Sequence, residues 1–195
     1  MPVPEISFTS PAFRHRLSQG GGRGQALAKA LGLSKGRTPD IVDATAGLGK
    51  DGFVLAHLGA KITLIERNPS VAAALQQALS QAKIAEPLFA QPAARITLLH
   101  GDAMDLLPKL APPVVYIDPM HPARSKSALV KQPMRDLRQL VGGDSDSAEL
   151  ITIALRHAQK RVVVKWPRHA ALPEPILTPS YELAGKTTRY CVFLP

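Results

Sequence analysis

Short, unbroken apolar runs alternate with stretches of helical spacing along most of this chain. The runs fall at 41–44, 62–65, 96–99, 114–117 and 162–164. They are continuous rather than alternating, which is how strands covered on both faces of a parallel sheet read. Between them, 52–58, 70–83 and 147–159 place apolar residues at helical intervals. That βαβ rhythm predicts an α/β fold with a mostly parallel sheet. Two further runs, 181–183 and 190–194, follow one another closely enough to form a closing antiparallel hairpin, which brings the expected sheet to seven strands. Ahead of the sheet, 1–24 reads as an irregular arm and 25–33 as a short amphipathic helix ended near Gly36. The expected division is therefore a basic arm with a short helix at 1–38 and a sheet domain at 39–195.

The first strand runs into Asp43-Ala44-Thr45-Ala46-Gly47-Leu48-Gly49-Lys50-Asp51-Gly52, a glycine turn with carboxylates on both sides. Gly47 and Gly49 permit a tight turn with close backbone approach to a ligand. Ligands of open α/β sheets bind at such strand-to-helix crevices. With Gly52 the stretch also satisfies the dinucleotide pattern G-x-G-x-x-G, with Glu66 at the end of the next run. Charge separates the two cofactor readings. A pyrophosphate over the turn would meet Asp43 and Asp51, and two like charges about 4 Å apart cost on the order of 4 kcal/mol at an effective dielectric near 20. S-adenosylmethionine, with a sulfonium and an ammonium, is favoured by the same estimate over a nicotinamide dinucleotide. Glu66 is placed to accept from ribose hydroxyls, or else to charge the first turn of the next helix. Asp102 is placed to bond an adenine amine with Ala103 donating its backbone N–H, or to cap a helix through Leu107; the two roles are compatible.

Charge then changes the picture. Lys plus Arg number 24 against 15 Asp plus Glu, a formal charge of +9, which points to a polyanionic partner such as nucleic acid. Arg124, Lys126, Lys131, Arg135 and Arg138 stand between 119 and 140 with Asp136 the lone acid, and Arg14, His15, Arg16 and Arg23 cluster near four glycines. Both clusters are candidate phosphate contacts. A third set, Arg156, Lys160, Arg161, Lys165 and Arg168, reads in part as helix-end charge. One cysteine, Cys191, precludes an internal disulfide and fits a reducing, cytoplasmic setting. No run approaches membrane-span length, no signal-peptide pattern is present, and no metal ligand set is assigned.

The fourth run ends in Tyr116-Ile117-Asp118-Pro119-Met120-His121-Pro122. Asp-Pro after a strand is often only a turn. Methyl transfer to an exocyclic amine, however, needs acceptors for the amino hydrogens. The Asp118 carboxylate and the Pro119 carbonyl would orient the nitrogen and disperse its developing positive charge. His121 can stack on the target base.

Taken with these blocks, the sequence resembles the ribosomal RNA small subunit methyltransferase J family, whose members methylate N2 of a guanosine in 16S ribosomal RNA with S-adenosylmethionine. The matching pieces are 20–24, 42–49 with Asp51, Glu66-Arg67-Asn68-Pro69, Asp118-Pro119-Met120 with Pro122, 126–131 and 161–165. The resemblance implies a Rossmann-like class I methyltransferase fold, cofactor contacts at Lys50, Asp51, Glu66, Arg67, Asp102, Ala103 and Asp118, and 16S ribosomal RNA or the small ribosomal subunit as partner. This sequence departs from the family's usual Arg at Lys50, serine-type residue at Asp102 and Phe at His121. It also begins without the additional small subdomain that precedes the Arg14 region in the family, so accessory RNA contacts are expected to be missing. A methyltransferase for another nucleic acid or for a protein amide shares the strand-four chemistry. A non-catalytic RNA-binding protein would explain the charge but not the acids around the glycine turn.

Overall fold

The computed structural model describes residues 5–20, 22–34, 36–119, 146–176, 178–185 and 187–195. Seven strands form one sheet: β1 (Ile41–Asp43), β2 (Ile62–Glu66), β3 (Ile96–His100), β4 (Val114–Ile117), β5 (Arg161–Pro167), β6 (Tyr181–Ala184) and β7 (Thr188–Phe193). Their order is β3-β2-β1-β4-β5-β7-β6. The first five are mutually parallel, and β7 runs antiparallel between β5 and β6. The expected sheet with its C-terminal hairpin is what the chain forms.

Side chains along each strand alternate between two cores, as a period of two requires. Ile41, Ile62, Leu64, Val114, Tyr116 and Val163 face one core, while Val42, Ile65, Val115, Ile117, Val162 and Val164 face the other. The first core is covered by α1 (Pro11–Gln19), α2 (Ala26–Ala30), α3 (Lys50–His57), α4 (Pro69–Lys83) and α5 (Pro87–Ala93). The second is covered by α6 (Ala103–Leu110) and α7 (Ser147–His157). Connections cross from β1 to β2 on one side of the sheet and on to β4 on the other, so the strand order reverses beside β1. A crevice opens there, at the carboxyl ends of β1 and β4.

Three helices depart from the sequence expectation. Residues 11–19 are helical rather than an irregular arm: Ser10 caps the helix by accepting from Phe13 N–H, Pro11 occupies the first turn, and Phe13 and Leu17 bury one face. Ser10-Pro11 was the legible start signal; the charged, weakly periodic body hid the rest. α5 is a helix where the sequence pattern assigns none, and it carries Pro92 in its interior, a residue that weakens the helix signal. α2 is shorter than 25–33 because Gly32 turns the chain out with φ +81°, and Leu33 N–H closes back on the Ala28 carbonyl.

Arg23 is not a free cation of an arm. Its guanidinium donates to the carbonyl oxygens of Ser34 at 2.7 Å, Leu58 at 2.9 Å and Arg37 at 3.4 Å, pinning the N-terminal loops to the end of α3. These bonds give Arg23 a structural role beside its reading as a phosphate contact. Arg23→Ala should lower stability by about 1–3 kcal/mol, the cost of leaving those carbonyls without a charged donor. Urea unfolding should show a lower midpoint with an unchanged slope; an unchanged midpoint would make those bonds incidental.

Candidate functional site

The glycine turn after β1 has the form its residues dictate. Gly47 and Gly49 take φ +51° and +67°, and Gly49 opens α3 in the left-handed region. A side chain on Gly49 would meet Leu75 Cδ1 at 2.7 Å, and one on Gly52 would meet Leu64 Cδ2 at 2.5 Å, so α3 packs directly onto β2 and α4. Long-range bonds hold the turn in register. Asp118 N–H donates to Thr45 Oγ1 at 2.7 Å, Ala44 N–H to the Tyr116 carbonyl at 2.9 Å, and Gly47 N–H to Glu66 Oε2 at 2.9 Å.

These contacts shape a cleft of about 360 Å³ above β1, β2 and β4. Asp43, Gly47, Lys50, Asp51, Glu66, Arg67, Asp102, Ala103 and Asp118 all line it, so the structure brings together every residue predicted to hold the cofactor. Pro119 is buried beside Asp118. His121, Arg124, Lys126, Lys131 and Arg135 lie outside the described residues. Arg14 pairs with Glu86 and sits 5.0 Å from the centre of the Phe89 ring, away from the cleft. Arg16 reaches into it and pairs with Asp51.

Glu66 is buried and accepts from Gly47 N–H and, at 2.8 Å, from Asn68 N–H. The cap of α4 is Asn68, whose side chain accepts from Ser70 and Val71 N–H, so Glu66 is not needed as a helix-start charge. Asp102 does cap α6, accepting from Met104 N–H at 2.8 Å, while still lining the cleft.

One side of the cleft holds a charge network that the sequence did not disclose. Lys165 Nζ donates to Asp118 Oδ2 at 2.7 Å and to Asp51 Oδ2 at 3.2 Å, and Tyr116 Oη donates to Asp51 Oδ2 at 2.9 Å. Burial opposes charge on Lys165, but the Asp51 and Asp118 carboxylates outweigh it and hold the ammonium pKa well above its ordinary value. Burial alone would raise Asp51, yet Lys165, Arg16 and the Tyr116 hydroxyl together hold it below the usual carboxylate range. Burial pushes the Tyr116 hydroxyl well up, so it remains a donor. Lys165 and Tyr116 were missed as site residues. The signal for Lys165 was a cation following the apolar run Val162-Val163-Val164, at the carboxyl end of the strand.

Asp43 corrects the charge argument for the cofactor. It is buried at the end of β1, and desolvation pushes its carboxyl up to about 8, against a backbone bond from Thr45 that lowers it. At neutral pH the pair is thus one neutral carboxyl and one ion-paired carboxylate, rather than two bare charges. Six acids and four bases line the described cleft, with Asp146 bonded to Arg67 at 2.7 Å across it. A mixed lining of this kind suits a zwitterionic ligand with a further positive centre better than it suits a diphosphate. No cluster of His, Cys, Asp or Glu among the described residues is arranged to hold a metal ion.

Comparison with known proteins agrees with this geometry. The family described as "Putative SAM-dependent methyltransferase" matches residues 3–195. The chain is 55% identical over 189 residues to a protein of Agrobacterium fabrum named ribosomal RNA small subunit methyltransferase J, covering 97% of this chain and 91% of that one. A Brucella anthropi protein of the same name is 52% identical over 189 residues, covering 97% and 92%. Among solved structures, a SAM-dependent methyltransferase from Neisseria gonorrhoeae superimposes with a TM-score of 0.74 at 37% identity, covering 97% of this chain and 74% of that one. An RNA methyltransferase from Salinibacter ruber, solved with S-adenosyl-L-homocysteine, shares the fold at 15% identity with a TM-score of 0.54, covering 86% and 88%.

Proposed function

We propose, for a chain that belongs to the ribosomal RNA small subunit methyltransferase J family, that it transfers a methyl group from S-adenosylmethionine to the exocyclic N2 amine of a guanosine in 16S ribosomal RNA. The observation that carries the reading is Asp118 at the tip of β4, fixed by Lys165 and opening onto the same cleft as the glycine turn, Glu66 and Asp102.

The residues fit the cofactor. Glu66 and Asp102 supply acceptors at the tips of β2 and β3 for the ribose hydroxyls and the adenine amine, and the turn at 47–51 offers close backbone approach. When bound, S-adenosylmethionine supplies an electrophilic methyl carbon whose C–S bond breaks as the amine attacks. The chain's own part is to orient the amine. The Asp118 carboxylate and the Pro119 carbonyl accept its hydrogens and stabilise the positive charge that builds on nitrogen. Lys165 holds the carboxylate in place. The proton then leaves to solvent.

The excess of 24 basic over 15 acidic residues supports an RNA partner, with Arg124, Lys126, Lys131 and Arg135 as proposed phosphate contacts and His121 as the proposed stacking residue. Reaching a stacked guanine costs a few kcal/mol, which such contacts offset. No helix among the described residues is long and apolar enough to cross a membrane. Together with the single free cysteine, Cys191, this supports action in the cytoplasm.

Incubation with labelled S-adenosylmethionine and small subunits from cells lacking the enzyme should place the label on one guanine N2 of 16S RNA. Label on ribosomal protein, or on a base carbon or ring nitrogen, would overturn the substrate assignment.

A further inference from the structure

The N-terminal helix is anchored on α3 beside the cleft. Phe13 and Leu17, one turn apart on α1, are buried. The Phe13 ring lies 5.4 Å from that of Phe53 on α3 and 5.5 Å from that of Phe8, which in turn stacks on Phe53 at 4.3 Å. Next to this anchored face, Arg16 extends over the first turn of α3, where its guanidinium donates to Asp51 Oδ1. Arginine carries five N–H donors in a planar fork. The Arg16 side chain retains 42% of its exposure while lining the cleft.

The ends of the cleft are chemically unequal. Glu66 and Asp102 mark the adenosine end over β2 and β3, and Asp118 marks the reacting carbon at β4. The amino-acid end of the methyl donor is left with the turn between β1 and α3. That end carries an ammonium and a carboxylate. The acids of the cleft serve the ammonium; the carboxylate needs a cation. Lys165 is committed to Asp118 and Asp51, and Arg67 bonds Asp146 beside the adenosine end. Lys50 offers a point charge rather than a fork. Among the described residues only Arg16 combines position at the turn with a planar donor set suited to a carboxylate, and Asp51 holds it there.

We propose that Arg16 binds the α-carboxylate of S-adenosylmethionine, with Asp51 as the positioning residue that aims it, so that α1 is a wall of the cofactor site. The proposal rests on the methyltransferase reading above, and it replaces Arg16's assignment to RNA phosphate.

Calorimetry on the full chain tests it with two ligands: S-adenosylhomocysteine, which has the amino-acid end, and 5′-methylthioadenosine, which lacks it. Arg16→Gln should weaken S-adenosylhomocysteine binding about tenfold to a hundredfold, the range of a lost charge-assisted contact. Binding of 5′-methylthioadenosine should stay within about twofold of wild type, and Arg16→Lys should fall between. Equal losses for both ligands would mean that α1 merely supports the fold, and no loss for either would return Arg16 to the surface; each outcome overturns the proposal. Failure of the wild-type chain to bind S-adenosylhomocysteine at all would instead remove the methyltransferase reading on which it stands.

Discussion

Asp118→Ala should lower the single-turnover rate of guanine methylation by about two to three orders of magnitude, the usual cost of deleting one preorganised group aimed at developing charge. The expectation follows from position. Asp118 ends β4, its backbone is tied to the β1 turn through Thr45, and its Oδ2 is held at 2.7 Å by Lys165. A carboxylate so fixed pays no reorganisation cost when the amine becomes cationic. Asp118→Asn keeps an acceptor of similar shape but loses the charge that makes the hydrogen bond strong, so it should recover only part of the rate. Lys165→Met should fall between wild type and Asp118→Ala, because it removes the positioning contact but not the acceptor. A wild-type rate in Asp118→Ala would remove the residue from the mechanism.

Asp43→Asn should stabilise the protein, by an amount that grows with pH. The Asp43 carboxyl titrates near 3.8 when exposed and at about 8 in the fold, where burial opposes its charge. Between those values the folded state keeps a proton that the unfolded state has released. Wild-type stability therefore falls as pH rises through that window, by on the order of 1.4 kcal/mol per pH unit from this group, and the fall ends once both states are ionised. Asparagine cannot ionise, and its side-chain oxygen can still accept from Thr45 N–H. Denaturant titrations at pH 5 and pH 8.5 should show the variant ahead by a few kcal/mol more at the higher pH. An advantage that does not change with pH would mean that Asp43 is an ordinary ionised carboxylate in the fold.

The acid-rich turn was legible as a cofactor site, but its electrostatics were not. Asp43 and Asp51 read as a matched pair of negative charges eight residues apart in sequence. Folding separates their fates, because among the described residues no cation is in hydrogen-bond contact with Asp43, while Asp51 collects Arg16, Lys165 and Tyr116. The cofactor inferred from that pair agrees with the family, although the repulsion used to reach it is largely cancelled in the folded cleft. Arg14, Arg16 and Arg23 show the same limit from the other side. A one-signed cluster in sequence looked like a single phosphate-binding arm, and the fold gives its members a carboxylate at Glu86 just ahead of α5, a carboxylate in the cleft and three backbone carbonyls.

By itself the amino-acid sequence determined the strands, most of the helices, the glycine turn and the acids that follow β1, β2, β3 and β4, because periodicity, capping and turn chemistry depend on neighbours within a few residues. The tertiary structure alone decided that β7 lies between β5 and β6, that Lys165 and Tyr116 belong to the site, and which carboxyl keeps its charge. Those outcomes depend on groups 35, 65 and 114 residues away from Asp51 along the chain. Burial and Coulomb attraction act through space, and no local spacing records them.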